Sequence, residues 1–229
     1  MKRIALLGMP NTGKSTFFNR ITGASARVGN WPGVTIDLMG AKVLMGGEMV
    51  EIVDLPGIYD LHGFSDDEQV VRHFLENNSL DLALIILNSC QLDRQLSLAL
   101  QLKQLNIPCL LLLNMADEAK RFGVGIDAEK MATQMGMPVL LMSAKYGEGY
   151  QTVFSELTRL IRHSQTVQPE SLRAALAEDD EIEQAMEQVL KGAVHIPPRL
   201  SDDLTIKLDR VMLHPWFGIP IFFAVMYLL

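Results

Sequence analysis

The chain has 229 residues, 48% of them hydrophobic, enough to bury one full core and a small second unit. Its 20 Lys and Arg against 27 Asp and Glu leave a net charge of −7, which excludes a general nucleic-acid binder built on a basic face. Cys90 and Cys109 are the two cysteines, and both read as reduced residues in apolar, strand-like surroundings, as in a reducing cytoplasm.

Met1 leads within three residues into an apolar strand, with no secretory or transit pattern before it. Strands are expected near 3–7, 41–45, 48–53, 81–87, 109–113 and 138–142, and helices near 14–22, 67–77, 92–105, 127–136 and 149–162. That alternation predicts a six-stranded, mostly parallel sheet with helices on both faces. Gly46-Gly47 joins two β runs as a tight hairpin, which makes one edge antiparallel.

The first strand runs into "GMPNTGKS", Gly8 to Ser15, with the P-loop spacing G-x-x-x-x-G-K-[ST]. Backbone N–H groups of such a turn and of the following helix N-terminus point at an anion; Lys14 adds a point charge and the Ser15 hydroxyl suits Mg²⁺. Gly8, Asn11, Thr12, Gly13, Lys14, Ser15 and Thr16 are therefore the phosphate-side candidates. "RVGNWPGVTIDL" offers Thr35 as the switch residue that completes a Mg²⁺ shell, and "VDLPG" offers Asp54 for the ion and the Gly57 N–H for a γ-phosphate.

Two later strand ends select the base. "LLLLNMAD" supplies Asn114, Met115 and Asp117, and "LMSAKYG" supplies Ser143, Ala144 and Lys145. A carboxylate at Asp117 can accept from N1–H and the 2-amino group of guanine, whereas adenine would leave it unpaired at a cost of about 1–3 kcal/mol or more. The Ala144 N–H is placed to meet guanine O6. Four motifs in this order, each at a strand's carboxyl end, predict a Ras-like P-loop GTPase that binds GTP or GDP with Mg²⁺.

Catalysis departs from the glutamine-and-arginine template, because Ile58 follows Gly57 and can orient no water. Arg27 lies eight residues before Thr35 and reads as a surface residue. Asn11 carries a side-chain carbonyl that can hold a monovalent cation against the phosphates. The catalytic candidates are accordingly Asn11, Lys14, Thr35 and Gly57. The five histidines are scattered without metal-ligand spacing, and His62 reads as part of a solvated, mobile loop.

Residues 1–164 are expected to form this nucleotide domain. After the polar linker "SQTVQPES", "EDDEIEQAMEQVLKGAV" puts Ile182, Met186, Val189, Leu190 and Ala193 on one stripe, and residues 165–212 read as a small helical subdomain. Residues 213–229 hold an apolar run from Trp216 to Leu229. Its fourteen helical residues span roughly 21 Å, short of a ~30 Å hydrocarbon core, and are expected to be the start of a membrane helix.

"GMPNTGKS", "RVGNWPGVT", "VDLPGIYDL", "NMAD" and "LHPWFGIPIFFAVMYLL" together resemble the bacterial ferrous-iron transport protein B family over essentially the whole chain. The resemblance implies a slow, K⁺-stimulated GTPase that regulates Fe²⁺ uptake, on the cytoplasmic side of a bacterial inner membrane. It implies that Asn11 and the backbone of Gly29 and Trp31 coordinate K⁺, and that the helical subdomain favours GDP and couples to the pore. It also implies attachment to the remainder of a membrane domain, a small cytosolic accessory protein, self-association and no nucleic-acid partner. Met9 stands where members usually carry Asn, and Met115 replaces the lysine of a generic N-K-x-D. The residues themselves leave a rival reading open, a soluble K⁺-dependent GTPase of ribosome assembly or tRNA modification.

Overall fold

The computed structural model describes residues 1–23, 27–29, 31, 32, 34, 37–167, 179–196 and 227. Three apolar runs build the centre: β1 (Lys2–Gly8), β5 (Leu82–Asn88) and β6 (Cys109–Asn114), buried almost throughout. Both faces of these strands are covered, so they show continuous rather than alternating hydrophobicity. β3 (Leu38–Met45) and β4 (Glu48–Asp54) form the expected hairpin, with Gly46 and Gly47 at φ of 56° and 90°. Consecutive positive φ values let the turn follow the strands' twist, and glycine takes them without a Cβ penalty.

With β2 spanning Arg27–Gly29 and β8 Val139–Leu141, seven strands are hydrogen-bonded in the order β2-β3-β4-β1-β5-β6-β8. The six expected strands are all present, and β2 (Arg27–Gly29) adds a short antiparallel edge. β3 starts three residues earlier than its apolar pattern suggests, and that extension is what pairs β2: Leu38 meets Gly29 and Gly40 meets Arg27.

Helices α1 (Lys14–Thr22), α2 (Asp66–Asn77), α3 (Leu92–Gln104), α5 (Ala128–Met135) and α6 (Tyr150–His163) lie within a residue or so of expectation. α2 begins at a capping box in which Ser65 and Glu68 satisfy each other's backbone N–H. α4 (Ala116–Arg121) was not foreseen; six residues are too few for a 3.6-residue period to show. Phe17, Phe18, Ile52 and Leu157 pack on one face of the sheet, and Phe74, Leu96, Ile58 and Met131 on the other.

α7 (Asp179–Ala193) belongs to the same compact unit as the sheet, which runs from Met1 to His195. It packs against α3 and α5 through its stripe, with Ile182, Val189 and Ala193 buried. The chain then pairs β9 (Val194–His195) with β7 (Gly125–Ile126). The expected segment 165–212 is described only over 165–167 and 179–196. Thr35 and all but Tyr227 of the apolar run 216–229 lie outside the described residues. Among the described residues no helix is long and apolar enough to cross a membrane.

The cysteines differ from each other. Cys109 is buried in β6, but Cys90 sits half-buried in the turn after β5, its N–H donating to Asn88 Oδ1 at 2.8 Å, so its surroundings are not a strand.

Candidate functional site

The carboxyl ends of β1, β4, β6 and β8 lie along one edge of the sheet, where open α/β sheets collect ligands. β1 ends at Gly8, where a Cβ would stand 2.4 Å from the Ile86 carbonyl oxygen, so only glycine lets the strand turn there. The loop closes on itself as the buried Thr12 hydroxyl donates to Met9 O at 2.9 Å. Asn11 and Gly13 take left-handed φ values of 62° and 84°, and Gly13 caps α1. A helix N-terminus with its backbone amides can receive an anion. Ser15 and Thr16 stand exposed in its first turn.

The second acidic motif is tied directly to this loop. Leu55 N–H donates to Leu6 O and Ile58 N–H to Gly8 O, each at 3.2 Å. Gly57 passes so close that a Cβ would lie 3.0 Å from Pro10 N. Lys14 Nζ donates to the Asp54 carboxylate, and the two side chains are only 11% and 10% exposed. Burial pushes the Asp54 carboxyl above the ordinary carboxylate range, and the Lys14 ammonium pulls it back. An ammonium and a carboxylate therefore share one half-dry spot beside the anion cradle, a donor set suited to a phosphate and a hard divalent cation.

Asn114 joins the two halves of the site. At 3% exposure, its Nδ2 donates to Thr12 O and its Oδ1 accepts from Ala144 N–H, both at 2.8 Å. Gly13 must lack a side chain for this, since a Cβ there would meet Asn114 Nδ2 at 2.3 Å. Met115 follows at φ 61° and opens α4, which sets Asp117 half-buried in the first turn. Asp117 lines a cavity of about 470 Å³ together with Lys120, Leu141 and Glu148. The loop after β8 is tight: Ser143 N–H donates to Glu148 O at 3.1 Å and Gly147 N–H to Ser143 O at 2.8 Å. Ser143 and Ala144 are buried and Lys145 is exposed, its ammonium 5.1 Å from the centre of the Tyr146 ring.

Thr35 lies outside the described residues, so the first switch is seen only at 27–29, 31, 32 and 34. Gly29 pairs with Leu38, one residue from the partner of Asp54, so it reaches the rim of the site. Trp31 does not. Its ring lies under the Arg3 guanidinium at 4.8 Å and edge-on to Phe74, and the neighbouring Pro32 carbonyl accepts from Asn78 at 3.1 Å. Arg3 stands five residues along β1 from Gly8, roughly 17 Å. The indole thus packs against Arg3, Gly40 and Phe74.

Three residues around the site escaped the sequence reading. Gln101, 3% exposed on α3, accepts from Leu61 N–H at 3.0 Å and donates to Asp60 Oδ1 at 2.7 Å. Arg72 donates to Leu61 O at 2.7 Å and to Gly63 O. These two tie the backbone of the loop that carries His62 to α2 and α3, while the His62 side chain itself is exposed, as expected. Arg20 on α1 donates to Ala144 O at 3.1 Å. No local pattern marks any of the three, since each acts through a backbone carbonyl or amide brought near only by the fold.

Comparison with known proteins gives one consistent result. The family model described as ferrous iron transport protein B matches residues 2–157. The Fe(2+) transporter FeoB of Synechocystis sp. is 48% identical over 227 residues, 99% of this chain and 37% of that protein. The chain thus spans little more than a third of the relatives it matches. The cytosolic domain of L. pneumophila FeoB superposes with a TM-score of 0.73 at 27% identity, covering 85% of this chain and all of that one. A GDP-bound mutant of the S. thermophilus FeoB G-domain gives a TM-score of 0.66 at 28% identity, covering 83% and 88% of the two chains.

Proposed function

Because the chain belongs to the ferrous iron transport protein B family, we propose that it is the part of a membrane Fe²⁺ transporter that binds and hydrolyses GTP on the cytoplasmic side. The observation that carries this reading is the Asn114 bridge, which sets a phosphate cradle and a base loop at a fixed separation. A nucleoside phosphate is the ligand that needs both ends at once. Asp117 selects guanine among purines, because its carboxylate must be satisfied by adjacent ring and amino donors.

In the proposed reaction, GTP gives GDP and phosphate by attack of water. The backbone amides of residues 11–15 and the α1 N-terminus hold the phosphate chain, and Lys14 turns from Asp54 to the phosphate oxygens. Gly57, whose backbone passes Pro10 with little room for a Cβ, donates its N–H to the terminal phosphate group. Ile58 is buried at 1% exposure and takes no part in water activation. Ser15, Asp54 and Thr35 would hold Mg²⁺, which would supply positive charge against the phosphate oxygens. Asn11 with the backbone of Gly29 and Trp31 remains the proposed K⁺ set. No step is routed through that ion.

We assign residues 1–164 to the nucleotide domain, 165–212 to a helical segment that favours GDP and couples to the pore, and 213–229 to the entry into the membrane. A small cytosolic accessory protein and self-association belong to the same proposal. The test is direct. The purified chain should bind GDP and GTP with Mg²⁺ and not ATP, and Asp117→Asn should transfer preference to xanthosine nucleotides. Hydrolysis should run several-fold faster in KCl than in NaCl, with Asn11→Ala removing the difference. Unchanged GTP affinity in Asp117→Asn defeats the base assignment, and equal rates in both salts defeat the role of Asn11.

A further inference from the structure

The helix that carries the phosphate cradle also reaches the base loop from behind. Arg20, in the last turn of α1, points its guanidinium at the turn after β8. Its Nη1 donates to Ala144 O at 3.1 Å and to Lys145 O at 3.4 Å. The same guanidinium stacks 5.3 Å from the centre of the Tyr150 ring, and the Tyr150 hydroxyl donates back to Phe17 O of α1 at 3.0 Å. Burial raises the Tyr150 phenol far above its ordinary value, with Arg20 opposing, so the hydroxyl stays a donor. Gly147 makes the space: at φ 78° it presents no side chain, and a Cβ there would lie 2.2 Å from Arg20 Nη2.

We propose that Arg20 is a positioning residue for the base, fastening the Ala144–Lys145 turn to α1 and so setting how long a guanine nucleotide stays bound. The proposal rests on the guanine-nucleotide reading above and names a residue outside its motifs. Its physical basis is the planarity of the peptide group, in which C=O and the next N–H point in opposite directions. Holding Ala144 O against α1 turns Lys145 N–H away from α1, and holding Lys145 O does the same for Tyr146 N–H. Asn114 fixes the remaining amide, that of Ala144. With these three amides set in advance, the loop loses no backbone freedom when an exocyclic oxygen of the base arrives. Without Arg20 the last two peptide planes are free to rotate, and bound states are lost faster while encounter is unaffected.

Arg20 is exposed, so its removal should leave the fold intact and act on the loop alone. In Arg20→Ala, dissociation of fluorescent mant-GDP should be about tenfold faster, the loss of roughly one net hydrogen bond, with association within about twofold of the parent. Single-turnover hydrolysis at saturating GTP should be unchanged, so KM rises without a fall in kcat. Inosine diphosphate keeps the O6 acceptor and lacks the 2-amino group, so it should lose the same factor as GDP, a pattern that loss of Asp117 does not give. Arg20→Lys, which still donates to one carbonyl, should recover part of the lost dwell time. A wild-type dissociation rate in Arg20→Ala overturns the proposal, as does a slower single-turnover rate with dissociation unaltered. Failure of the parent protein to bind mant-GDP overturns the guanine reading itself.

Discussion

Replacing Asn114 by alanine tests the joint between the two halves of the site. The truncation removes two hydrogen bonds of 2.8 Å and strands the Thr12 carbonyl and the Ala144 N–H, in residues that are 0% and 2% exposed. Each buried polar group left without a partner costs about 1–3 kcal/mol, and a water admitted to the new space returns part of that. A net loss of about 2–4 kcal/mol follows for the pair. For a domain of this size each kcal/mol moves the melting temperature by about 2–4 °C, so Tm should fall by roughly 5–15 °C. Thermal unfolding followed by circular dichroism without nucleotide measures this, and titration calorimetry with GDP should show affinity down by at least about tenfold. Asn114→Asp separates the two bonds: it keeps an acceptor for Ala144 and sets a carboxylate oxygen against Thr12 O, so it should not rescue. A Tm within about 2 °C of the parent, together with unchanged GDP affinity, would show that Asn114 is no such joint.

Burial pushes the Cys109 thiol from 9.0 up to about 12, with Lys103 opposing. Across that window the unfolded chain releases a proton that the fold retains, so this contribution to stability is complete below pH 9 and is lost as pH rises towards 12. Urea midpoints measured at pH 8.5 and 10.5 should drop further for the parent than for Cys109→Val, and parallel shifts count against the reasoning. Ser65→Ala removes the hydroxyl that accepts from Glu68 N–H at 3.3 Å and opens the capping box of α2. The expected cost is about 1 kcal/mol, a Tm decrease of about 3 °C. No change in Tm would mean that Glu68, which accepts from Ser65 N–H at 3.0 Å, holds the cap alone.

Local chemistry was readable wherever it repeats along the chain. β1, β5 and β6 stand out because strands covered on both faces need uninterrupted apolar side chains. The hairpin shows as two glycines, and the cradle as glycines spaced around Lys14. Asn114, Ala144 and Asp117 were singled out by position at strand ends, and the first two are joined by a hydrogen bond. β2 escaped because three residues, one of them an exposed valine, hold no pattern until β3 is extended beside them. α4 escaped because it starts from a left-handed methionine and ends after six residues.

The sequence alone therefore determined the main strands and helices and the glycine-rich turn between β1 and α1. Those properties depend on side-chain period, backbone φ and hydrogen-bonding groups within a few residues of each other. Only the tertiary structure decided that the Trp31 ring docks on Arg3 and Phe74, and that Arg20 grips a turn 124 residues away. Such placements come from burying surface and satisfying carbonyls between segments remote in the chain, and that balance exists only once the segments have met.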